Sequence, residues 1–259
     1  MEIWGHRGAY SHAPENTLTG FQIAADMGAF GVELDIQLTS DGEIVVIHDE
    51  TVDRTSDGQG WVNDFKLSEI KKLNFNKRGA MYAKAAGIDA ADTTITLPAE
   101  EENRVSLPLF MEIPRLSEVF ELIKPTRLKI NVEFKTGIFF NEGIEEKAFE
   151  LACKYGMMER IVWSSFNHYS VQKLKQLAPE AETALLSSGE IFVTGEQCEK
   201  TGAAALHPNI FQLLYPGLVE ECHSRGVKVR AWTIDEPEQL DYVTDLEVDG
   251  IITNRFDLM

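Results

Sequence analysis

Polar and apolar residues alternate over one stretch near the N-terminus and predict a β-hairpin. Residues 32–39 place apolar side chains on one face of a strand and polar side chains on the other. A second apolar run, residues 43–48, follows an Asp-Gly dipeptide at 41–42 that is typical of two-residue hairpin turns. This turn places Asp35 opposite His48, and directly opposed side chains point to the same face. The residues expected on this polar face are Glu33, Asp35 and His48.

Strands and helices alternate along most of the remaining chain, which is the pattern of a parallel sheet. Leaving out the returning arm of the hairpin, strands are predicted to begin near residues 2, 31, 128, 161, 183, 203, 227 and 250. Eight such strands close a (β/α)₈ TIM barrel of the α/β class. An open doubly wound sheet is the rival fold, but no GxGxxG follows the first strand. The first helix is predicted to open at Pro14 and to run to about Met27.

One region, residues 50–114, lacks this alternation. It holds the turn-rich DRTSDGQG, one short helix predicted over residues 67–73, and a polar, alanine-rich run. We interpret it as a lobe inserted between the second barrel strand and its helix. The sequence therefore predicts a single TIM-barrel domain over residues 1–259 that carries this insert.

Charge and cysteine content restrict the partners. A formal net charge of −18 disfavours nucleic acid and anionic membrane surfaces, so local positive charge must attract any anionic substrate. Cys153, Cys198 and Cys222 have no CxxC spacing, which favours a reducing compartment and hence a cytoplasmic location. Neither a signal peptide nor a bilayer-spanning apolar stretch is visible, so we expect no stable membrane insertion. The oligomeric state stays open.

Candidate site residues fall at the C-terminal ends of the predicted strands, where TIM barrels place their catalytic groups. These residues are His6 and Arg7 on the first strand, Glu33 and Asp35 on the second, Glu133 and Lys135 on the third, His48 on the hairpin arm, and Trp232 on the seventh strand. Three carboxylates without a thiolate indicate a hard divalent cation, Mg²⁺ or Ca²⁺. The Arg and Lys supply contacts to an anion such as phosphate, and the two histidines supply an acid and a base. Such a set is typical of a phosphodiester-cleaving site, without indicating which ester.

Each of these residues has a structural alternative. The charged cluster fits a set of structural salt bridges, although four buried charges held only by each other gain little stability. Trp232 fits core packing and substrate contact almost equally well. Asn16 is interpreted as a helix-start residue, His207 as a structural histidine, and Arg230 as the partner of an acid.

The motifs HRG, PENT, ELDIQLTSDGEIVVIHD, PRLSEV, NVEFK, SSF, AWT and DGIITNR occur in an order that resembles the glycerophosphodiester phosphodiesterase family. The resemblance runs nearly end to end, except for about residues 76–107. It implies a (β/α)₈ barrel that hydrolyses a glycerophosphodiester to sn-glycerol 3-phosphate and an alcohol. The roles it implies are metal binding by Glu33, Asp35 and Glu133, acid–base catalysis by His6 and His48, and phosphate contact by Arg7 and Lys135. One departure is TNRFD in place of the usual TDRPD, with Asn254 and Phe256 as the differing residues.

The mechanism that the resemblance suggests has a glycerol hydroxyl attack phosphorus. We assign His6 as base because it lies beside Arg7 at the barrel mouth, and His48 as acid because it lies on the hairpin arm beside the insert. Two alternatives stay open. A phospholipase D-type or cyclising lyase activity on lysolipids requires an exposed apolar rim, which the polar insert does not indicate. A catalytically silent binding barrel is disfavoured because both histidines and all three carboxylates are present.

Overall fold

Eight parallel strands close into a barrel in the computed structural model, which describes residues 1–86, 94–96, 106–189 and 192–256. In chain order the strands are β1 (Glu2–Gly5), β2 (Gly31–Leu38), β3 (Ile44–Val46), β4 (Thr94–Thr96), β5 (Ser106–Pro108), β6 (Lys129–Phe134), β7 (Ile161–Ser165), β8 (Glu182–Ser187), β9 (Ala205–Pro208), β10 (Lys228–Trp232) and β11 (Gly250–Thr253). The barrel runs from β1 through β2 and then β6 to β11, and β11 pairs with β1 to close it. This confirms the predicted TIM barrel.

Helices follow the barrel strands and cover their outer faces. They are α1 (Leu18–Asp26), α2 (Leu67–Ile70), α3 (Lys77–Ala86), α4 (Leu116–Ile123), α5 (Ile144–Tyr155), α6 (His168–Leu177), α7 (Gly195–Thr201), α8 (Leu218–Ser224) and α9 (Pro237–Asp245), with 3₁₀ turns at Val62–Asp64, Met158–Arg160 and Ile210–Leu214. Val32 and Leu34 of β2 face outwards and pack in one buried cluster with Phe120 of α4. The alternating residues Glu33 and Asp35 therefore point into the barrel. Among the described residues, no helix has both the length and the apolar character needed to span a bilayer.

The hairpin that joins β2 to β3 has a register different from the predicted one. Ile36 pairs with Val46, which shifts the pairing by one residue. The prediction of a two-residue turn is wrong: the turn has three residues and ends with Gly42 in the left-handed region at φ 78°. Asp35 is consequently not opposite His48. The strand β3 ends before His48, so the direction of that side chain is set by the following bend and not by strand alternation.

The first helix begins later than predicted. Leu18 is its first residue, and the hydroxyl of Thr17 caps it by accepting the N–H of Gly20 at 3.1 Å. Asn16 adopts a left-handed φ of 55° and is therefore outside the helix. The helix-start role assigned to Asn16 is wrong. Its side chain instead forms a hydrogen bond with Asp35 inside the barrel.

The chain between β2 and α4 forms more structure than the sequence indicates. It contains β3, α2, α3 and the antiparallel pair β4–β5, and the helix predicted over 67–73 spans only Leu67–Ile70. Val52, Val62 and Ile70 pack against the returning arm of the hairpin in a small core of their own. The insert boundaries 50–114 stay a prediction, and residues 87–93 and 97–105 of that insert lie outside the described residues.

Candidate active site

A cleft opens at the C-terminal end of the barrel. Six of the predicted site residues line it, and these are His6, Arg7, Glu33, His48, Glu133 and Trp232. Asp35 and Lys135 lie beside them, linked to the cleft by ion pairs. The structure thus brings all eight predicted residues together, although they come from five segments of the chain.

Three buried carboxylates lie at the base of this cleft. Ligand oxygens of Glu33, Asp35 and Glu133 all fall within 4.8 Å of one another. Burial and the neighbouring carboxylates of Asp35 and Glu133 raise the pKa of Glu33 well above its usual value. Burial likewise raises the pKa of Glu133, where the charge of Lys135 only partly offsets it. The negative charge of the cluster is therefore incompletely compensated by the protein.

Asp35 differs from the two glutamates because cations and a donor surround it. Burial by itself raises the pKa of this carboxyl, but Lys135, His48 and Arg7 together hold it well below the usual value. The amide of Asn16 also donates to its Oδ2 atom at 2.9 Å. Its other oxygen, Oδ1, has no hydrogen-bond partner among the described residues, although Lys135 Nζ lies 3.8 Å away.

The burial and the hydrogen bonding of this carboxylate cluster fit a divalent cation. A buried carboxylate oxygen without a hydrogen bond and two glutamates of raised pKa are costly in a protein interior. A hard cation held by Glu33, Asp35 and Glu133 satisfies these oxygens and neutralises their charge. Lys135 provides part of the same positive charge and hydrogen bonding by donating to Glu133 Oε1 at 2.9 Å.

Arg7 is the principal cation of the cleft. Its backbone N–H donates to Glu33 Oε2 at 2.9 Å, and its guanidinium donates to Glu15 Oε1 at 2.9 Å. Its Nε atom lies 3.6 Å from Asp35 Oδ2. Burial lowers the pKa of the guanidinium, but the charges of Asp35, Glu15 and Glu33 more than offset it. Arg7 is thus fixed in place before any substrate binds.

His6 lies above the carboxylates and is held as a neutral imidazole. Its Nε2 atom is 4.0 Å from Glu33 Oε2, and its Nδ1 atom is 2.8 Å from the amide oxygen of Asn254. Burial and the nearby charge of Arg7 lower the pKa of His6 to about 4. A neutral imidazole that donates from Nδ1 leaves Nε2 free to accept a proton.

His48 has a different partner. Its Nδ1 atom lies 2.7 Å from a carboxylate oxygen of Asp49. Asp49 in turn accepts from Arg54 at 2.6 and 2.9 Å, and Arg54 also donates to Glu15 at 2.5 and 2.8 Å. Because Glu15 also binds the guanidinium described above, a continuous chain of alternating charges joins His48 to Arg7.

Sequence reasoning missed several members of this site. They are Glu15, Asn16, Asp49, Arg54, Phe166 and Asn254. Glu15, Asn16 and Asp49 stand within the PENT and HD motifs, but the sequence indicates no site role for them. Phe166 lines the cleft and contacts Trp232 edge to face, with ring centroids 5.6 Å apart. A signal that could have found Arg54 is its proximity in sequence to Asp49, since a loop of this length easily forms a local ion pair.

The remaining candidates are structural, as expected. His207 is fully buried beside Asn131 and Arg230, and the latter donates to Glu2 and Glu182 at 2.6 and 2.7 Å. Trp232 packs within the barrel and also lines the cleft.

Comparisons with known proteins agree with this geometry. The sequence profile described as "Glycerophosphoryl diester phosphodiesterase family" matches residues 6–258. A glycerophosphodiester phosphodiesterase from Caldanaerobacter subterraneus subsp. tengcongensis is 42% identical over 97% of this chain and 93% of its own. The crystal structure of a glycerophosphodiester phosphodiesterase from Agrobacterium tumefaciens is 26% identical, covers 100% of this chain and 98% of its own, and superimposes with a TM-score of 0.77. A phosphodiesterase from Oleispira antarctica in complex with the product sn-glycerol-3-phosphate is 26% identical with a TM-score of 0.79, over 98% of this chain and 93% of its own.

Proposed function

The chain belongs to the glycerophosphoryl diester phosphodiesterase family, and on that premise we propose that it hydrolyses glycerophosphodiesters to sn-glycerol 3-phosphate and an alcohol by means of two histidines and a divalent cation. It is an enzyme of the phosphoric diester hydrolase class. The observation that carries the proposal is the meeting of His6, His48 and three carboxylates in one cleft. The relative bound to sn-glycerol-3-phosphate supports a small-molecule substrate of this kind.

The cation, Mg²⁺ or Ca²⁺, would be held by Glu33, Asp35 and Glu133. When bound, it supplies positive charge that polarises a phosphoryl oxygen and stabilises negative charge in the transition state. Arg7 Nε and Lys135 Nζ lie 3.6 and 3.8 Å from the two carboxylate oxygens of Asp35 and are placed to add fixed positive charge for the phosphate. This local charge is what draws an anionic diester into a protein whose net charge is −18.

The proposed reaction uses the hydroxyl of the glycerol next to the phosphoester. His6 Nε2 takes the hydroxyl proton, the oxygen bonds to phosphorus, and the bond to the leaving alcohol breaks. The product of this step is a cyclic phosphate. His48 gives a proton to that alcohol. Water then opens the cyclic phosphate with the two histidines in reversed roles, which returns both to their starting states.

The hydrogen bonds of the two imidazoles support this division of roles. A base must start neutral, and His6 has a pKa lowered to about 4 and an uncharged amide behind it. An acid must have a proton to give, and a carboxylate oxygen of Asp49 lies 2.7 Å from the Nδ1 atom of His48. Trp232 and Phe166, on the apolar side of the cleft, are placed to contact the substrate away from the phosphate.

An assay of glycerol 3-phosphate release tests the proposal. The protein is incubated with glycerophosphocholine, glycerophosphoethanolamine and glycerophosphoglycerol, in the presence of Mg²⁺ or Ca²⁺ and in excess chelator. We expect release with at least one head group and its loss in chelator. Full activity in chelator would refute the role of the cation, and no release from any diester would refute the function.

Exposed apolar side chains favour a second candidate, phospholipase D-type cleavage of single-chain lysolipids. The described residues include sixteen large apolar side chains that are exposed. Met1, Met27, Phe30 and Leu177 lie elsewhere, Tyr169 lies in the first turn of α6, and the other eleven lie in the segments that lead from a barrel strand to the next barrel helix, on the side where the cleft opens. The most exposed aromatic side chains are Phe140, Tyr169 and Phe211, at 81%, 79% and 71%. The exposed apolar side chains of this side, here termed the apolar rim, come from several barrel loops and from the insert.

We propose a cytoplasmic location as well. All three cysteines are free, and Cys198 and Cys222 are buried thiols. Burial raises the pKa of both thiols to about 12, so they are protonated and unreactive. Such cysteines suit a reducing compartment, and finding the protein in an oxidising compartment would contradict this assignment.

A further inference from the structure

Asn254 occupies a position from which it controls the proton of His6. Its Oδ1 atom lies 2.8 Å from His6 Nδ1, although the two residues are 248 positions apart in the chain. They meet because β1 and β11 are neighbouring strands of the closed barrel, paired at Gly5 and Thr253. An amide oxygen only accepts hydrogen bonds, so this contact requires the proton of a neutral His6 to be on Nδ1.

The orientation of the Asn254 amide is itself fixed by Asp235. The Nδ2 atom of Asn254 donates to Asp235 Oδ2 at 2.6 Å, and its backbone N–H donates to Asp235 Oδ1 at 2.8 Å. The hydroxyl of Thr253 donates to the same Oδ1 atom at 3.2 Å. Because an ionised carboxylate only accepts, the NH₂ group must face Asp235 and the oxygen must face the histidine.

We propose that Asn254 is a positioning residue for the reaction, locked by Asp235, that selects the Nδ1–H tautomer of His6 and so presents Nε2 to the substrate as an acceptor. The inference rests on the proposed function, in which His6 is the base. If the amide were turned over, its NH₂ group would face Nδ1 and require the other tautomer, whose Nε2 carries a proton and is not basic.

Kinetics of four variants test the catalytic consequence. Asn254→Leu keeps the approximate size but removes the acceptor, and we expect kcat to fall roughly 10²-fold, towards the lower end of what a general base contributes. KM should stay nearly constant, because Asn254 is not among the residues that line the cleft. A variant with unchanged kcat, or one that loses activity only through a raised KM, would overturn the proposal.

The Asp235 lock is tested by exchanging the two side chains. Asn254→Asp places two carboxylates in contact at the 2.6 Å junction, and Asp235→Asn removes the charge that orients the amide. Each single variant should therefore lose activity. The double variant Asp235→Asn with Asn254→Asp restores a donor facing an acceptor and keeps an oxygen towards His6, so it should recover most of kcat. Additive losses in the double variant would overturn the lock.

A readout that needs no turnover separates this inference from the proposed function. Nitrogen NMR of ¹⁵N-histidine-labelled protein, at mildly alkaline pH where imidazoles are neutral, distinguishes the two tautomers directly. The His6 signals are those missing from His6→Gln. We expect Nδ1–H in the wild type, with or without added Mg²⁺, and loss of that single tautomer in Asn254→Leu.

The combined outcomes are distinct. A wild-type protein with the Nδ1–H tautomer but no release of glycerol 3-phosphate would refute the function and leave the placement standing. An active wild-type protein whose His6 carries its proton on Nε2 would refute the inference alone.

Discussion

The Nδ1 atom of His48 lies 2.7 Å from the Oδ1 atom of Asp49, so a carboxylate stands behind this imidazole. The same atom of His6 faces the amide oxygen of Asn254 at 2.8 Å. The two histidines thus share one cleft and differ in the charge of their partner. Most of the chemistry proposed for the site follows from this difference.

The two histidines should respond differently to the leaving group. General acid catalysis matters most when the leaving group is poor, and each such group contributes ~10²–10⁴-fold. We expect His48→Ala to cause a severe loss of activity with an ethanolamine or glycerol leaving group and a much milder loss with nitrophenol. His6→Ala should be severe with both. Steady-state kinetics with the two substrate types measure this, and equal losses in both variants would contradict the assignment.

Asp49 should act through His48. In Asp49→Asn the hydrogen bond to Nδ1 is kept, but the negative charge behind the imidazole is lost. We expect kcat for a poor leaving group to fall by roughly tenfold or more, towards the lower range for a general acid, with a smaller effect for nitrophenol. Asp53→Asn, on the same loop but bonded to the backbone N–H of Gly60, is the matched control. Similar losses in both variants would indicate a general effect on the loop.

The metal-free protein should become more stable when Glu33, a carboxylate of raised pKa, is replaced by an uncharged residue. The pKa of Glu33 is higher in the folded state than in the unfolded state, so this group favours folding below its unfolded pKa. That contribution is lost as pH rises through the folded pKa. At neutral pH, Glu33→Gln should therefore raise the melting temperature in chelator and abolish most activity.

Added Mg²⁺ or Ca²⁺ gives the complementary measurement. A cation that binds only the folded state raises the melting temperature. We expect this rise in the wild type and a much smaller one in Glu33→Gln and Glu133→Gln. An equal rise in all three proteins would contradict the assignment of these carboxylates as ligands.

The insert should be replaceable without unfolding the barrel. Exchanging residues 80–105 for a short Gly/Ser link removes Ala83 and Ile95, which pack with Ala13, Leu107 and Met111. We expect a loss of about 2–5 kcal/mol, the range for truncating one buried aliphatic side chain, and an altered selectivity among head groups. Denaturant unfolding and Ile95→Ala as a point control measure the cost. Global unfolding would show that the segment belongs to the barrel core.

The apolar rim should matter only for substrates with an acyl chain. Phe140→Ser and Phe211→Ser remove the two most exposed aromatic side chains of the strand-to-helix loops. Tyr169, which is also highly exposed, belongs to α6. If lysolipids are substrates, both changes should raise KM for lysophosphatidylcholine and leave KM for glycerophosphocholine unchanged. Leu177→Ser, at the opposite end of the barrel, is the control. No activity on lysophosphatidylcholine in the wild type would eliminate this candidate.

The sequence by itself determined the barrel and which side chains point into it. The strand period of two fixes the parity of Glu33 with Asp35 and of Glu133 with Lys135 whatever surrounds them. The count of strand and helix segments fixes the closure. For this reason the eight predicted site residues meet in the structure even though the hairpin register was wrong by one residue.

Only the tertiary structure decided which hydrogen bonds connect the residues of the site. The side chain of Asn16 reaches Asp35 because its backbone leaves the helix in the left-handed region. Asn254 reaches His6 because the last strand closes on the first. Such hydrogen bonds join residues far apart in the chain and repeat with no period, so no local pattern encodes them. Their geometry is fixed only when the strands that carry both partners have packed together.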